Sequence, residues 1–266
     1  MPHWRPLFTE PHSMTTEPRF SFSRHRCQAG FTLVELAIVL AVIGLILGAV
    51  AIGKDLQRNA AYQRLSSDFV QGWLVSYDAF TTATGRVPGD TPITPTGAVN
   101  ATAATATATP GNELCDDPAT PTNPASLLNV FLAAGVSLPE GRSEGQRNRF
   151  VYLDANGNPQ EVQLCFQSVM WAEPGAAVGS YVSRARNVMV LKGLTPSLAQ
   201  MLDAQIDTQS DARFGRVREM AQANATATVT GQAWSVDDRM AQGSNAATTL
   251  DESQVASVTA YVLMNR

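Results

Sequence analysis

Histidine is missing from most of this sequence. His3, His12 and His25 fall within the first 30 residues, and none occurs beyond them. If that segment is removed, the remainder cannot build a Ser-His-Asp or Cys-His catalytic group or a histidine-ligated metal site. Lysine is nearly as scarce there. Only Lys54 and Lys192 occur, and no glycine-rich phosphate loop ends in Lys-Ser or Lys-Thr. These gaps argue against an enzyme, and no residue set calls for a cofactor or a metal.

Positive charge is short as well, outside the N-terminal segment. Arg5, Arg19, Arg24 and Arg26 against Glu10 and Glu17 give residues 1–30 a balance of +2, and the rest carries −6, for −4 overall. A basic segment ahead of an apolar helix keeps the N-terminus in the cytoplasm and exports the bulk of the chain. An acidic exported domain is a poor general partner for nucleic acid. Cysteine is limited to Cys27, Cys115 and Cys165. The last two form an even pair in the exported part and point to a disulfide, with two buried free thiols as the alternative. A bridge there would close a loop of roughly 50 residues and contribute about 4 kcal/mol in the chain-entropy view.

Long apolar runs are absent but for one. Between Phe31 and Gly53 the only ionisable side chain is Glu35, and a helix of that length crosses a bilayer core. A carboxylate in such a helix costs roughly 2.5–3.5 kcal/mol at the centre and less near an end, which marks Glu35 as functional.

The order Ala29-Gly30-Phe31-Thr32-Leu33-Val34-Glu35 follows Arg24, His25 and Arg26 and precedes apolar residues from Leu36 to Gly53. It resembles the N-terminus of type IV prepilins and type II secretion pseudopilins. The resemblance implies that a prepilin peptidase cuts after Gly30 on the cytoplasmic side and methylates the new amine of Phe31. For Glu35 it implies pairing with the amine of a neighbouring subunit inside a filament. Two unit charges about 4 Å apart gain roughly 4 kcal/mol at an effective dielectric of 20, before desolvation is subtracted. Such a pair is better at fixing axial stagger than at adding net stability. The implied role is a structural subunit, a minor pilin or pseudopilin. Its partners are other pilin or pseudopilin subunits and an inner-membrane assembly platform. It would be anchored by one span in the bacterial inner membrane, with a periplasmic head, before entering a pilus or pseudopilus.

Two other readings compete. An exported soluble binding protein or enzyme would use an ordinary signal peptide cut after Ala51, at Ala49-Val50-Ala51. Glu35 would interrupt that segment early, and the cut would sever a continuous helix. A permanently anchored protein would keep its N-terminal segment and start at Met1 or Met14.

The expected fold is α+β, a long N-terminal helix, membrane-spanning in its first half, packed on an antiparallel β-sheet. Residues 1–30 are read as a leader and 31–84 as the helix, with 31–53 in the membrane. Residues 85–266 are the head, including a Thr/Ala/Pro-rich loop over 91–125 that should bury little. Gly44 and Gly48 suit close helix approach, or are merely tolerated in a bilayer. From Lys54 the helix turns amphipathic: Leu65, Phe69, Trp73 and Tyr77 recur every fourth residue, flanked by Tyr62 and Phe80, as a core-facing stripe. Gly85 and Pro88 stop it, and Pro88-Gly89-Asp90 resembles the turn after the long helix in many prepilin-like proteins.

Farther on, a short helix is expected over Ser126–Ala134 and a hairpin of Phe150–Leu153 with Glu161–Phe166, turning at Asn156-Gly157. Asp154, Asn156, Asn158 and Glu161 superficially suggest a calcium loop, but Gly157 comes too early for the EF-type pattern, which favours a plain turn. Arg142, Arg147 and Arg149 form a small basic cluster, read as a solvated loop in preference to a DNA-binding patch. Asn187–Leu191 reads as a strand, and Thr195-Pro196 opens a helix to about Ile206. Ala204–Asp207 with Gly215–Val217 faintly resembles a helix-turn-strand of prepilin-like heads. Val217, Ala225–Trp234 and Val255–Leu263 are further strand candidates.

Overall fold

The structure is a computed structural model that describes residues 31–100, 112–116, 126–143, 145–228, 230–238, 241–242 and 251–265. The chain divides into two units, Met1–Ala49 and Val50–Arg266. Helix α1, Leu33–Arg64, contributes to both. In the first unit every described residue is exposed.

The second unit carries the core. After α1 the chain passes through a π-helical stretch, Leu65–Val70, into α2, Gln71–Thr84. Leu65, Phe69, Trp73 and Tyr77 are fully buried, with Tyr62 and Phe80 nearly so. The π stretch has a physical reason. A four-residue step overshoots one α-helical turn by about 40°, so three steps would carry the stripe a third of the way around the helix. A wider turn with i→i+5 bonding reverses part of that drift, and the Gln71 N–H indeed donates to Ser66 O. Gly85, at φ 74°, closes α2 in the left-handed conformation that glycine adopts without penalty.

The stripe packs on a five-stranded antiparallel sheet built from β1 (Arg149–Leu153), β2 (Pro159–Pro174), β3 (Tyr181–Leu194), β4 (Val217–Glu219) and β7 (Val258–Leu263). The spatial order is β1-β2-β3-β7-β4, and β5 (Ala241–Gln242) pairs separately with β6 (Asp251–Val255). Tyr62 meets Tyr152 edge-on at 5.8 Å, Phe69 meets Phe150 at 5.6 Å, and Tyr77 meets Phe166 at 5.1 Å. Helix α3, Leu127–Ala133, adds Phe131 against Trp73 and Phe80. On the opposite sheet face Cys165, Val169, Trp171, Val188, Val190 and Tyr261 form a second cluster with Ala223. The middle of the sheet is therefore buried on both faces.

Several local expectations need correction. The β1–β2 hairpin pairs Leu153 with Pro159, so its loop has five residues, with Asn156-Gly157 inside it. Strand β2 runs on to Pro174 because Val169, Trp171 and Ala172 are buried beyond the polar Gln167-Ser168 pair. The stretch after Pro88 is less exposed than expected. The Asp90 carboxylate accepts the N–H groups of Thr91, Thr96 and Gly97 at 2.8–3.0 Å, and Val99 and Leu114 are fully buried. Residues 101–111 and 117–125 of that loop lie outside the described residues.

Helix α4, Pro196–Asp207, begins after Thr195, yet the Thr195 side chain makes no capping bond. Asp238 Oδ1 accepts the Ser197 N–H at 2.9 Å instead, while the Thr195 hydroxyl shares a hydrogen bond with that of Tyr62 at 3.3 Å. The helix-turn-strand after α4 is present: Asp207 Oδ2 accepts the N–H groups of Arg216 and Val217, each at 2.7 Å. Described residues of Ala225–Trp234 form no strand, since β4 and β7 pair with each other and the Ala-Thr alternation offers no large apolar face. That segment is tied down by polar contacts: Arg213 donates to Ala225 O at 3.1 Å, and Ala212 N–H to Gln232 O at 2.8 Å.

Asp203 anchors the same corner. It is fully buried, and its Oδ2 accepts Asp211 N–H at 2.7 Å and Trp234 Nε1–H at 3.3 Å. Burial, seconded by the nearby Asp207 charge, pushes its carboxyl up to about 6. Arg218 lies over the Trp171 ring at 4.1 Å, and burial lowers its guanidinium to about 10.

Candidate processing and assembly site

Three N-terminal residues carry the expected processing and assembly roles: Gly30, Phe31 and Glu35. Gly30 lies outside the described residues. Phe31 is 87% exposed and precedes the first helical residue. Glu35 sits in the first turn of α1, where the helix dipole favours an acid. Its Oε2 accepts both the Thr32 N–H and the Thr32 hydroxyl at 2.9 Å, and the Thr32 hydroxyl oxygen accepts the Glu35 N–H at 3.2 Å. The two residues form a reciprocal capping box.

Thr32 is the side chain that holds Glu35, and it is not among the expected site residues. The signal was present, because Thr32-Leu-Val-Glu35 has the Ser/Thr-x-x-Glu spacing of such a box. Its physical value would be larger in a membrane than at an aqueous helix end. A helix start in or near hydrocarbon has little water to satisfy its leading N–H groups, so side chains must do so. In a single chain the Glu35 carboxylate thus has a polar partner of its own. Pairing with an amine on another chain would compete with, or add to, the Thr32 contacts.

Farther along α1, the positions of Gly44 and Gly48 have no atom within 4 Å of an added Cβ among the described residues. Nothing among the described residues therefore uses their smallness. The helical segment Leu33–Thr84 contains a stretch long and apolar enough to cross a membrane.

The head supplies the other sequence candidates. Cys115 and Cys165 are joined in a disulfide with their Cα atoms 4.7 Å apart. Beside it Leu114 and Phe166 exchange backbone hydrogen bonds at 2.8 and 3.1 Å, so the bridge staples residues 112–116 along β2. Glu113 lies close to both sulfurs, but the disulfide consumes the thiolates that a metal would require. In the β1–β2 loop the Asp154 carboxylate accepts the N–H groups of Asn156 and Asn158 at 2.9 and 2.8 Å and the Nε2–H of Gln160 at 3.2 Å. Glu161 is held by Arg142 and Arg149, each at 2.5 Å. This is the wiring of a turn. The same bonds dissolve the basic cluster, since Arg147 also donates inward, to Leu138 O at 3.2 Å.

No curated protein and no solved structure matches the chain. One family model does. Residues 25–51 match the prokaryotic N-terminal methylation motif, and this match, falling on the capped start of an exposed apolar helix, supports the type IV prepilin-like family for the chain.

Proposed function

We propose that this chain is a structural subunit, a minor pilin or pseudopilin, of a type IV pilus or type II secretion filament. Prepilin peptidase removes residues 1–30 by cutting after Gly30 and methylates the amine of Phe31. The apolar part of α1 holds the subunit in the inner membrane, with the head in the periplasm, until an assembly platform moves it into the filament. There Glu35 meets the N-terminal amine of a neighbouring subunit. The role asks no catalysis of the head.

The observation that carries this reading is the methylation motif at residues 25–51, set directly on an apolar helix whose described residues in the first unit are all exposed. A signal peptide cut after Ala51 fits less well, because Ala51 lies in the middle of α1, Leu33–Arg64.

Mass spectrometry of the N-terminal peptide from the membrane fraction tests the proposal. The expected product begins with methylated Phe31. A chain beginning at Ile52 would support the signal-peptide reading, and one beginning at Met1 or Met14 would support permanent anchorage. Replacing Gly30 with a bulky residue should block the cut.

A further inference from the structure

The buried face of the helical run changes character toward the apolar segment. Phe69, Leu65 and Tyr62 are buried in the core. The next positions on that face, Arg58 and Lys54, line a cleft instead. Its facing wall is the β1–β2 loop from Leu153 to Gly157, and its volume is about 450 Å³, within the range of small-molecule sites.

Arg58 is incompletely satisfied there. Its Nε is buried with no hydrogen-bond partner among the described residues, and the guanidinium reaches Asp55 only at 3.7 Å. Asp154 on the facing wall is already occupied by the loop donors described above. Lys54 is exposed and is the first residue after the apolar run. Leu153 at the cleft is 50% exposed.

Two cations one helical turn apart, with Asp55 only loosely paired to one of them, next to the exposed Leu153 and at the end of a membrane segment, match one ligand chemistry. An anionic headgroup offers phosphate oxygens to the cations and glycerol and acyl carbons to the aliphatic side chains. We propose that this cleft binds the headgroup of an anionic phospholipid in the leaflet that faces the head, with Arg58 Nε–H and Lys54 donating to the phosphate. The proposal rests on the membrane placement of α1 given under Proposed function. Bound lipid would fix the depth of the helix and fill the gap between α1 and the hairpin loop until the subunit leaves the bilayer.

The test uses the full chain in nanodiscs of phosphatidylcholine alone or mixed with phosphatidylglycerol, with native mass spectrometry reading the retained lipid. Phosphatidylglycerol should be retained preferentially, and the preference should fall roughly fivefold for each cation removed in Lys54→Gln and Arg58→Gln. Arg58→Lys should keep most of it, and inorganic phosphate at millimolar concentration should not displace the lipid. Equal retention of both lipids, or an unchanged preference in the double variant, overturns the proposal. Displacement by inorganic phosphate overturns it in favour of a free-phosphate site. A chain that enters neither disc overturns the membrane placement along with it, so the two failures are told apart.

Discussion

The apolar start of α1 and the aromatic run that ends α2 share one secondary structure and differ in where their partners are. From Tyr62 to Phe80 every stripe residue is buried in this chain's own core. From Phe31 to Ala49 every side chain is exposed. The second stretch is amphipathic and finds its apolar surroundings at home. The first is apolar all round, and a helix of that kind is buried in something else. The contrast teaches that folding of the head and placement of the rod are separate problems, solved by different residues.

The sharpest way to break this contrast is to truncate one side chain in each region. Trp73→Ala should cost the head about 3–5 kcal/mol, since it empties a fully buried site. Leu40→Ala should change head stability by no more than about 0.5 kcal/mol. Denaturant unfolding of the detergent-solubilised full chain, followed by tryptophan fluorescence, measures both, and a comparable loss in Leu40→Ala would end the separation.

Replacing Cys115 and Cys165 together should come next, at about 2–5 kcal/mol. The effect should be confined to the head, and reductant should reproduce it in the parent chain.

The third test uses pH. Asp203 has a folded-state value of about 6, above the roughly 3.9 of an unfolded aspartate. The folded state therefore binds more protons than the unfolded one between those values. The group's contribution to stability rises as pH falls from about 7 to about 4. Asp203→Asn should flatten that part of the profile and gain about 1–3 kcal/mol at neutral pH. Thermal unfolding of parent and variant across this window reads the difference, and parallel profiles would remove Asp203 as the cause.

A local effect belongs to the rod. Thr32→Ala should loosen the first turn of α1 by about 1 kcal/mol, visible as faster hydrogen exchange at residues 33–36 and invisible in head unfolding. Glu35→Gln keeps a capping side chain and should loosen that turn less. If the carboxylate also serves assembly, that variant should still be cut after Gly30 yet fail to enter filaments.

What could be read in advance follows the same division. The stripe, the Gly85 stop, the α3 helix and the apolar run are periodic or punctuated locally, so their residues announce them. The π stretch arises from a conflict between a four-residue repeat and a 3.6-residue turn, which appears only once the sheet fixes the direction of the stripe. The placement of β7 between β3 and β4 is a long-range pairing with no local signature. Thr195 has the right residue type for a cap, but Asp238, 41 residues beyond Ser197, takes the task. At the N-terminus the motif itself was legible, whereas Thr32 was obscured by its apolar neighbours.

The direction of the aromatic seam has a mechanical consequence. Tyr62–Tyr152, Phe69–Phe150 and Tyr77–Phe166 lie one after another along the helix axis. A pull along that axis loads them together, in shear, whereas a sideways pull would peel them one by one. A tether drawn lengthwise is therefore gripped by all its rings at once.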